Sequence, residues 1–322
     1  MLAAWNQGAG EQLWEIQLGT RWPSWGVWSD EVVLGFPDGQ LVGIDASTCE
    51  SWSITVAGGI DDLAVTEVGS YITRSGLELA GFSGDGRGSW RHRTADTIFE
   101  YITDNAGVSV FINQAGDLIG LDSSGGGTVF SWDNTAGRDV HVAAGESFLY
   151  RTAAGQLTAR PIGGGGQLWN VATEDLDGLW AVPGTLLAHD GETLTAYEPA
   201  TGDVRWTVPF DGEIAGPMVL DHNELHIAAR HGALTHDLWH LELATGSTVA
   251  RGRAPDGTEW FVETDDALML EVADDGAVRG ITMLQRPRFE IETGANRVSR
   301  FTQVELAGRA VIVTLTFSAE RF

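Results

Sequence analysis

The chain has 322 residues, of which 45 are Asp or Glu and 19 are Lys or Arg, so its formal net charge is −26. Such an acidic chain repels a nucleic-acid backbone, and it has no clustered basic stripe, so the composition argues against nucleic-acid binding. All 19 basic residues are Arg, which excludes Schiff-base chemistry on a Lys.

One phrase repeats along the chain: an alternating apolar run, an acidic residue, a Gly turn and a Trp that closes the next run. The clearest copy occupies residues 194–206. The closing positions are, in chain order, Trp14, Trp52, Trp90, Trp132, Trp169, Trp206, Ala250 and Phe289. They stand 38, 38, 42, 37, 37, 44 and 39 residues apart, and a fixed period near 40 residues indicates an array of similar supersecondary units.

Each unit is predicted to hold four short strands. In the second copy, residues 24–28 predict an inner strand, residues 31–36 and 40–45 alternate on either side of an Asp-Gly turn, and residues 51–56 predict an outer strand. No segment of helical length carries apolar residues at a period of 3.6, and the 42 Gly disfavour helices. The unit is therefore typical of a propeller blade in an all-β chain.

The blades must stack around an axis, because one four-stranded sheet of this size cannot bury both of its faces alone. The first residues resemble the third strand of a blade, while residues 297–306 and 309–318 resemble the first two strands of one. Joining the two ends completes a blade and removes exposed edges. The prediction is one domain over residues 1–322: an all-β, eight-bladed β-propeller with four-stranded antiparallel blades, closed by a blade that the N- and C-termini share.

The recurring Trp is predicted to be structural. At a fixed blade position, an indole fills the gap to the neighbouring blade while its ring N–H binds a carbonyl. The residues predicted to dock in this way are Trp14, Trp52, Trp90, Trp132, Trp169 and Trp206. The phrase Leu-x-Ala-aromatic-acid-x-x-Thr-Gly-x-x-x-Trp resembles the tryptophan-docking motif of the PQQ-like, or quinoprotein-like, propeller superfamily, and the resemblance covers essentially the whole chain.

Eight-bladed members of that superfamily include the quinoprotein alcohol dehydrogenases and the BamB propellers of outer-membrane assembly, and fold alone does not choose between them. The dehydrogenases are much longer than this chain, often carry a vicinal disulfide and hold Ca²⁺ beside the quinone. This chain has one cysteine, Cys49, and no residue set that matches a PQQ site. The resemblance to BamB implies scaffolding in envelope assembly.

Aromatic residues are the first candidates for a binding site. Trp22 and Trp25 lie in the predicted connection from an outer strand to the next inner strand, and Trp180 and Trp260 begin comparable inner strands. These four residues are predicted to ring the funnel as hot spots for a peptide or sugar. The alternative is that Trp25 and Trp28 fill the core of their blade.

Histidines are the second candidates, since five of the eight lie in one blade. The spacing predicts that His226 and His231 lie across a hairpin from His236 and His240, where imidazoles can hold Zn²⁺ or Ni²⁺. The alternative is a packed strand face. Pairs of Asp are predicted to form turns, with a weak Ca²⁺ or other divalent-ion site as the alternative. No other cofactor is expected.

The sequence predicts a non-catalytic binding or scaffold propeller, because no catalytic constellation can be assigned. The expected partner is a protein, bound by a monomer at the loop face around the funnel. No membrane span is predicted, since no apolar run reaches the roughly 18 residues required. An extracytoplasmic location is expected, with a cytoplasmic one as the alternative. The competing functions are a quinoprotein-like oxidoreductase, a metal-dependent propeller hydrolase and a ligand-sensing domain of a larger receptor or kinase.

Overall fold

A computed structural model describes most of the backbone, and for residues 254–322 it describes strand backbone alone. The residues outside the description are 1, 7–10, 17, 19–22, 67–70, 84–86, 106, 134–140, 154, 174–175, 215–218, 222, 232–235, 254–257, 263–267, 274–276, 283–286, 293–298, 308–309 and 318–322.

The structure describes 33 strands. The first sixteen are β1 Leu2–Asn6, β2 Gln12–Ile16, β3 Ser24–Trp28, β4 Glu31–Gly35, β5 Gln40–Asp45, β6 Ser51–Thr55, β7 Asp62–Val65, β8 Tyr71–Ser75, β9 Glu78–Phe82, β10 Gly88–Arg93, β11 Ile98–Asn105, β12 Val108–Asn113, β13 Leu118–Asp122, β14 Thr128–Trp132, β15 Val142–Ala144 and β16 Phe148–Ala153. The others are β17 Gln156–Pro161, β18 Trp169–Ala172, β19 Gly178–Val182, β20 Thr185–His189, β21 Thr193–Tyr197, β22 Val204–Pro209, β23 Glu213–Ile214, β24 Val219–Asp221, β25 Glu224–Arg230, β26 His236–Glu242, β27 Thr248–Arg253, β28 Thr258–Val262, β29 Leu268–Ala273, β30 Ala277–Thr282, β31 Pro287–Glu292, β32 Ser299–Ala307 and β33 Ala310–Phe317.

These strands form eight antiparallel sheets, seven with four strands and one, β23–β27, with five. Seven sheets take consecutive strands, whereas the eighth has the order β2-β1-β33-β32 and so combines both ends of the chain. Within it, β1 pairs with β33 from Leu2 opposite Thr314 to Asn6 opposite Ala310. The prediction of an all-β chain of four-stranded antiparallel sheets is confirmed. Among the described residues, no helix is long and apolar enough to cross a membrane.

The hairpin of β4 and β5 shows why the sequence forms these sheets. Val33 is fully buried and lies opposite Gly43, while Val32 is fully buried on the other face, so both faces of the strand are packed. The connecting turn places Gly39 at a φ of 91°, a left-handed conformation that favours glycine. The Gly39 N–H donates to the Phe36 carbonyl at 2.9 Å and closes the turn.

Apolar clusters lie between consecutive sheets and hold them face to face. One cluster packs Leu2 and Trp14 of the terminal sheet against Val32 and Leu34 of the β3–β6 sheet. Five further clusters each join one sheet to the next in chain order, and the last of them lies between the β19–β22 sheet and the β23–β27 sheet. Six clusters thus connect seven sheets in series, which is the stacking that a radial array of blades requires.

In four sheets, a Trp donates a hydrogen bond to the sheet that follows. The Trp14 and Trp90 indole N–H groups donate at 2.8 Å to the carbonyls of Ala46 and Ser123, and each acceptor belongs to the next sheet along the chain. The same contact recurs at 2.8 Å from Trp169 to the Pro199 carbonyl and from Trp206 to the Leu243 carbonyl. A buried indole with a satisfied N–H is favourable, since it combines a large apolar area with a hydrogen bond.

Trp52 makes a different contact, although it occupies the same repeat position. Its indole N–H donates to the Glu31 carboxylate of its own sheet, and the Tyr71 hydroxyl of the next sheet donates to the same carboxylate. The rings of Trp52 and Tyr71 lie 5.8 Å apart. Burial and the Glu31 charge raise the pKa of Tyr71, so this hydroxyl stays protonated.

In the fourth copy of the repeat, the aromatic residue opposite the small one is not the closing Trp. Phe130, rather than Trp132, lies opposite the small residue of the third strand, Gly120. Trp132 comes two residues later, and the guanidinium groups of Arg151 and Arg160 stand 4.2 and 4.4 Å from its ring centroid. The link from this sheet to the next therefore combines cation–π contacts with the apolar cluster that holds Trp132 and Leu149.

Candidate functional site

The inner strands β11, β15 and β19 belong to three consecutive sheets and lie side by side, with β15 in contact with both of the others. Between them is a cleft of about 290 Å³. It is lined by Glu100, Ile102, Ile112, His141, Val142, Gly178, Leu179 and Trp180, so that apolar side chains stand beside polar surface. This volume is close to the lower limit for small-ligand pockets and is large enough for one or two side chains of a partner.

Trp180 forms one wall of the cleft and is held by a stack on His189. The two ring centroids lie 4.7 Å apart with an interplanar angle of 23°. Gly178 is required beneath this stack, because a Cβ there would come within 2.3 Å of His189 Nε2. The backbone N–H of Gly191 donates to His189 Nδ1 at 3.1 Å, which fixes the ring orientation. The wall is therefore pre-formed.

The electrostatics of His189 favour its neutral form. The side chain is 6% exposed. This burial lowers the pKa of His189, and the charge of Asp177 opposes the shift only in part. A neutral imidazole can accept the Gly191 N–H, whereas an imidazolium cannot.

Two titratable side chains line the cleft. Glu100 is exposed on β11, and His141 is half-buried just before β15. The backbone N–H of His141 donates to the Thr152 hydroxyl at 3.0 Å, which anchors this end of β15. A cleft whose lining residues include an aromatic wall, one carboxylate and one imidazole can accept an apolar anchor flanked by a basic or hydrogen-bonding group.

The four aromatic residues predicted to bind are not all placed together. Trp180 lines the cleft. Trp25 is half-buried and packs on the apolar cluster between the first two sheets, which is the alternative interpretation of the sequence, while Trp28 is 39% exposed. Trp22 lies outside the described residues, and Trp260 lies on β28, where only the backbone is described.

The predicted metal-binding histidines with described side chains, His226, His231 and His240, do not all lie together. His226 and His240 are direct partners across β25 and β26, and Glu224 lies with them. His231 instead approaches the Asp237 carboxylate at 3.1 Å. His236 lies on β26, and its side chain is outside the description. The structure thus brings together two of the four and adds a carboxylate that the sequence interpretation did not name.

Turn aspartates act as local hydrogen-bond acceptors. The Asp45 carboxylate accepts from the backbone N–H groups of Ser47 and Thr48 at 2.9 and 2.7 Å. Hydrogen bonds from the Ser47 hydroxyl and from Thr48 lower the pKa of Asp45 to about 2. Asp122 accepts from Ser124 and Gly125 in the same way. These contacts are those of turn-forming Asp residues.

Sequence comparison supports the predicted resemblance. Residues 153–258 match the family model described as outer membrane protein assembly factor BamB. This segment holds the fifth and sixth repeat Trp residues, Trp169 and Trp206. No curated protein sequence matches the chain.

Solved structures show the same fold at low sequence identity. BamB from Moraxella catarrhalis is 14% identical, with a TM-score of 0.60 over 94% of this chain and 100% of that one. Sqt1 from Saccharomyces cerevisiae is 11% identical, with a TM-score of 0.65 over 94% and 98% of the two chains. The C-terminal WD40 domain of Sif2 is 10% identical, with a TM-score of 0.63 over 92% and 97%.

All three structures are β-propellers, and at these identities the likeness concerns the fold alone. The resemblance to the PQQ-like propellers is therefore confirmed: this chain is similar to BamB in sequence over residues 153–258 and in fold over most of its length.

Proposed function

We propose that residues 1–322 form one closed, eight-bladed propeller that serves as a non-catalytic binding or scaffold module for a protein partner. The observation that carries the proposal is the cleft between β11, β15 and β19, with its pre-formed Trp180 wall. Eight sheets, six of them joined to their successors by apolar clusters, support the ring, and the pairing of β1 with β33 supports its closure.

The partner is proposed to be a polypeptide segment with an apolar or aromatic anchor and basic flanks. The rigid Trp180 wall and the apolar side chains of Ile102 and Leu179 suit one anchor side chain, which is how hot spots pair across protein interfaces. The Glu100 rim and the formal net charge of −26 favour basic flanking residues. The matched family model is described as an assembly factor, and this description supports a scaffolding role.

The protein is proposed to act as a monomer outside the cytoplasm. The matched model describes an outer-membrane assembly factor, which supports that location. Fractionation of the source cells with an antibody against the chain tests it, and recovery of the chain with the cytoplasmic fraction contradicts it. Light scattering coupled to size exclusion tests the monomer, for which the expected mass is 34.5 kDa.

Site-specific photo-crosslinking tests the partner site. A photoreactive amino acid replaces Glu100 at the rim of the cleft, and in a matched control it replaces Val204, which is 58% exposed on the outer strand β22. We expect a discrete cross-linked polypeptide from position 100, lost when Trp180→Ala is added, and none from position 204. Equal cross-linking at both positions, or cross-linking unaffected by Trp180→Ala, contradicts the proposal.

A further inference from the structure

In each sheet, three paired residues form a row across the second, third and fourth strands. Seven of the eight sheets have the same residue types in this row. An apolar residue on the second strand faces a Gly or Ala on the third, which faces a Trp or Phe on the fourth, as in Leu187, Ala196 and Trp206. The small residues are Ala4, Gly43, Gly81, Gly120, Ala159, Ala196 and Gly280.

The small residue is required because the aromatic ring lies directly over it. A Cβ at Gly43 or Gly81 would come within 2.3 Å of the Trp52 or Trp90 ring. In the β23–β27 sheet, the three positions of this row hold different residue types. His226 holds the apolar position, His240 the small one and Ala250 the aromatic one. Space given to an indole in other sheets is here given to imidazoles, whose ring centroids lie 4.4 Å apart.

Glu224 completes a set of three ligand-type side chains. It lies two residues before His226 on β25, so both side chains project from the same face of the sheet. Its Oε2 stands 2.7 Å from His240 Nε2, and the ligand atoms of all three residues lie within 4.8 Å of one another. His226 is 1% exposed, whereas the Glu224 side chain is 46% exposed, so the set runs from the interior to solvent.

This face is separate from the packing between the β19–β22 and β23–β27 sheets. The neighbours of His226 in sequence, Leu225 and Ile227, are fully buried in the cluster that also holds Trp206. Since successive strand residues alternate, His226 points away from that cluster. The three residues therefore occupy the face on which, in other sheets, the Trp or Phe ring of the fourth strand lies. This aromatic side chain is called the docking ring below.

We propose that Glu224, His226 and His240 bind one borderline divalent cation, Zn²⁺ or a close analogue, at the place where other sheets carry the docking ring. Two imidazole nitrogens and one carboxylate oxygen form a known type of three-ligand zinc set that leaves a fourth position for water. Ca²⁺ prefers oxygen ligands only, so two nitrogen ligands select against it. This inference is independent of the proposed partner site.

The geometry needs only small adjustments to accept the ion. Ligand atoms of a tetrahedral zinc site stand about 3.4 Å apart, given metal–ligand bonds of about 2.1 Å. Glu224 and His240 stand 2.7 Å apart, and no pair of ligand atoms in the set is separated by more than 4.8 Å. The half-exposed Glu224 can move through its side-chain torsions, and it provides the route by which an ion enters from solvent.

Metal titration of the full chain, purified without a polyhistidine tag and stripped with a chelator, tests the proposal. Zn²⁺ affinity is measured by competition with a chromophoric chelator, and Co²⁺ is added separately to read coordination from its visible absorption. We expect one tight Zn²⁺ per chain, a tetrahedral-type Co²⁺ spectrum and a rise in melting temperature on adding Zn²⁺.

Three single variants locate the site. Glu224→Gln and His240→Gln are expected to weaken Zn²⁺ binding by more than about tenfold, since even outer-sphere partners contribute at least that much. His231→Gln, in the same sheet but paired with Asp237, is the matched control and is expected to bind as the parent does. Circular dichroism checks folding, and Glu224→Gln at the half-exposed position keeps the test valid where His240→Gln does not fold.

A triple variant tests whether the proposed ion takes the place of the docking ring found in other sheets. His226→Leu, His240→Ala and Ala250→Trp restore the composition of the neighbouring row, Leu187, Ala196 and Trp206. We expect this chain to fold with no Zn²⁺-dependent rise in melting temperature. The proposal is overturned if the parent chain binds no Zn²⁺ at micromolar concentration, or if Glu224→Gln and His240→Gln bind as tightly as His231→Gln.

Discussion

Replacement of Trp206 with Ala tests whether docked indoles hold consecutive sheets together. Trp206 is 8% exposed, and its N–H donates to the Leu243 carbonyl at 2.8 Å. Its ring lies against Gly246, where φ is 71° and an added Cβ would stand 2.7 Å from the indole. The substitution therefore removes apolar contact with the next sheet and leaves a carbonyl without its donor.

The expected loss in the free energy of unfolding is about 3–5 kcal/mol. Burial of about 200 Å² of indole at about 25 cal/mol/Å² sets an upper bound near 5 kcal/mol. Measured Trp and Phe to Ala losses in cores span about 3–5 kcal/mol, and the orphaned carbonyl accounts for about 1 kcal/mol of such a loss. Urea unfolding followed by far-ultraviolet circular dichroism measures the difference without depending on the removed fluorophore.

A second variant at position 206 separates the packing of the indole from its hydrogen bond, and a variant at position 28 serves as a control. Trp206→Phe retains most of the packing and loses the hydrogen bond, so we expect a loss of about 1–2 kcal/mol. Trp28→Ala is the matched control, because Trp28 is 39% exposed, and the same area arithmetic scaled to that exposure sets an upper bound of about 3 kcal/mol on its loss. A Trp206→Ala loss no larger than that of Trp28→Ala would refute the docking argument.

Two other predictions concern a docking turn and the cleft. Gly202→Ala should lower the free energy of unfolding by more than about 1 kcal/mol in urea titration, because φ is 77° and the added Cβ would lie 2.8 Å from the Trp169 ring. Gly76→Ala, with φ of 59° and open space around it, should cost less, and equal costs would contradict the packing argument. Burial lowers the pKa of His189 from 6.5, so its contribution to stability is fully present above pH 6.5 and is lost as the pH falls through the folded-state pKa. Between pH 7 and 5, the parent should lose more stability than His189→Gln in thermal melts, and parallel losses would contradict this sign.

The repeat pattern predicts the sheets well because each unit meets the same packing requirement. Five Trp residues lie opposite a Gly or Ala, so a large ring and a small partner recur together in the printed sequence. The alternation of β4 and β5 around the Asp38-Gly39 turn is equally local. Such signals depend on neighbours within about 40 residues, which is why the sequence carries them.

The cleft could not be predicted in the same way. Glu100, His141 and Trp180 come from three sheets and meet only because the inner strands converge, and no local period marks such a meeting. The repeat period also gave no signal that Phe130, two residues before Trp132, takes the position opposite Gly120. Glu224 had a signal in the sequence: it alternates with His226 on one strand, and the absence of a Trp at position 250 marked that sheet as exceptional.

Disulfide trapping between the two ends of the chain tests the closed ring most directly. Ala3→Cys and Val313→Cys, in a Cys49→Ser background, place thiols at partner positions of β1 and β33. Partner positions on antiparallel strands have Cβ atoms about 4.5–5.5 Å apart, close enough for mild oxidation to form the bond after small movements. Ala3→Cys with Ile312→Cys is the control, because a shift of one residue places the two thiols on opposite faces. The closed propeller predicts rapid intramolecular cross-linking of the first pair alone, and failure of that pair, or equal cross-linking of both, contradicts it.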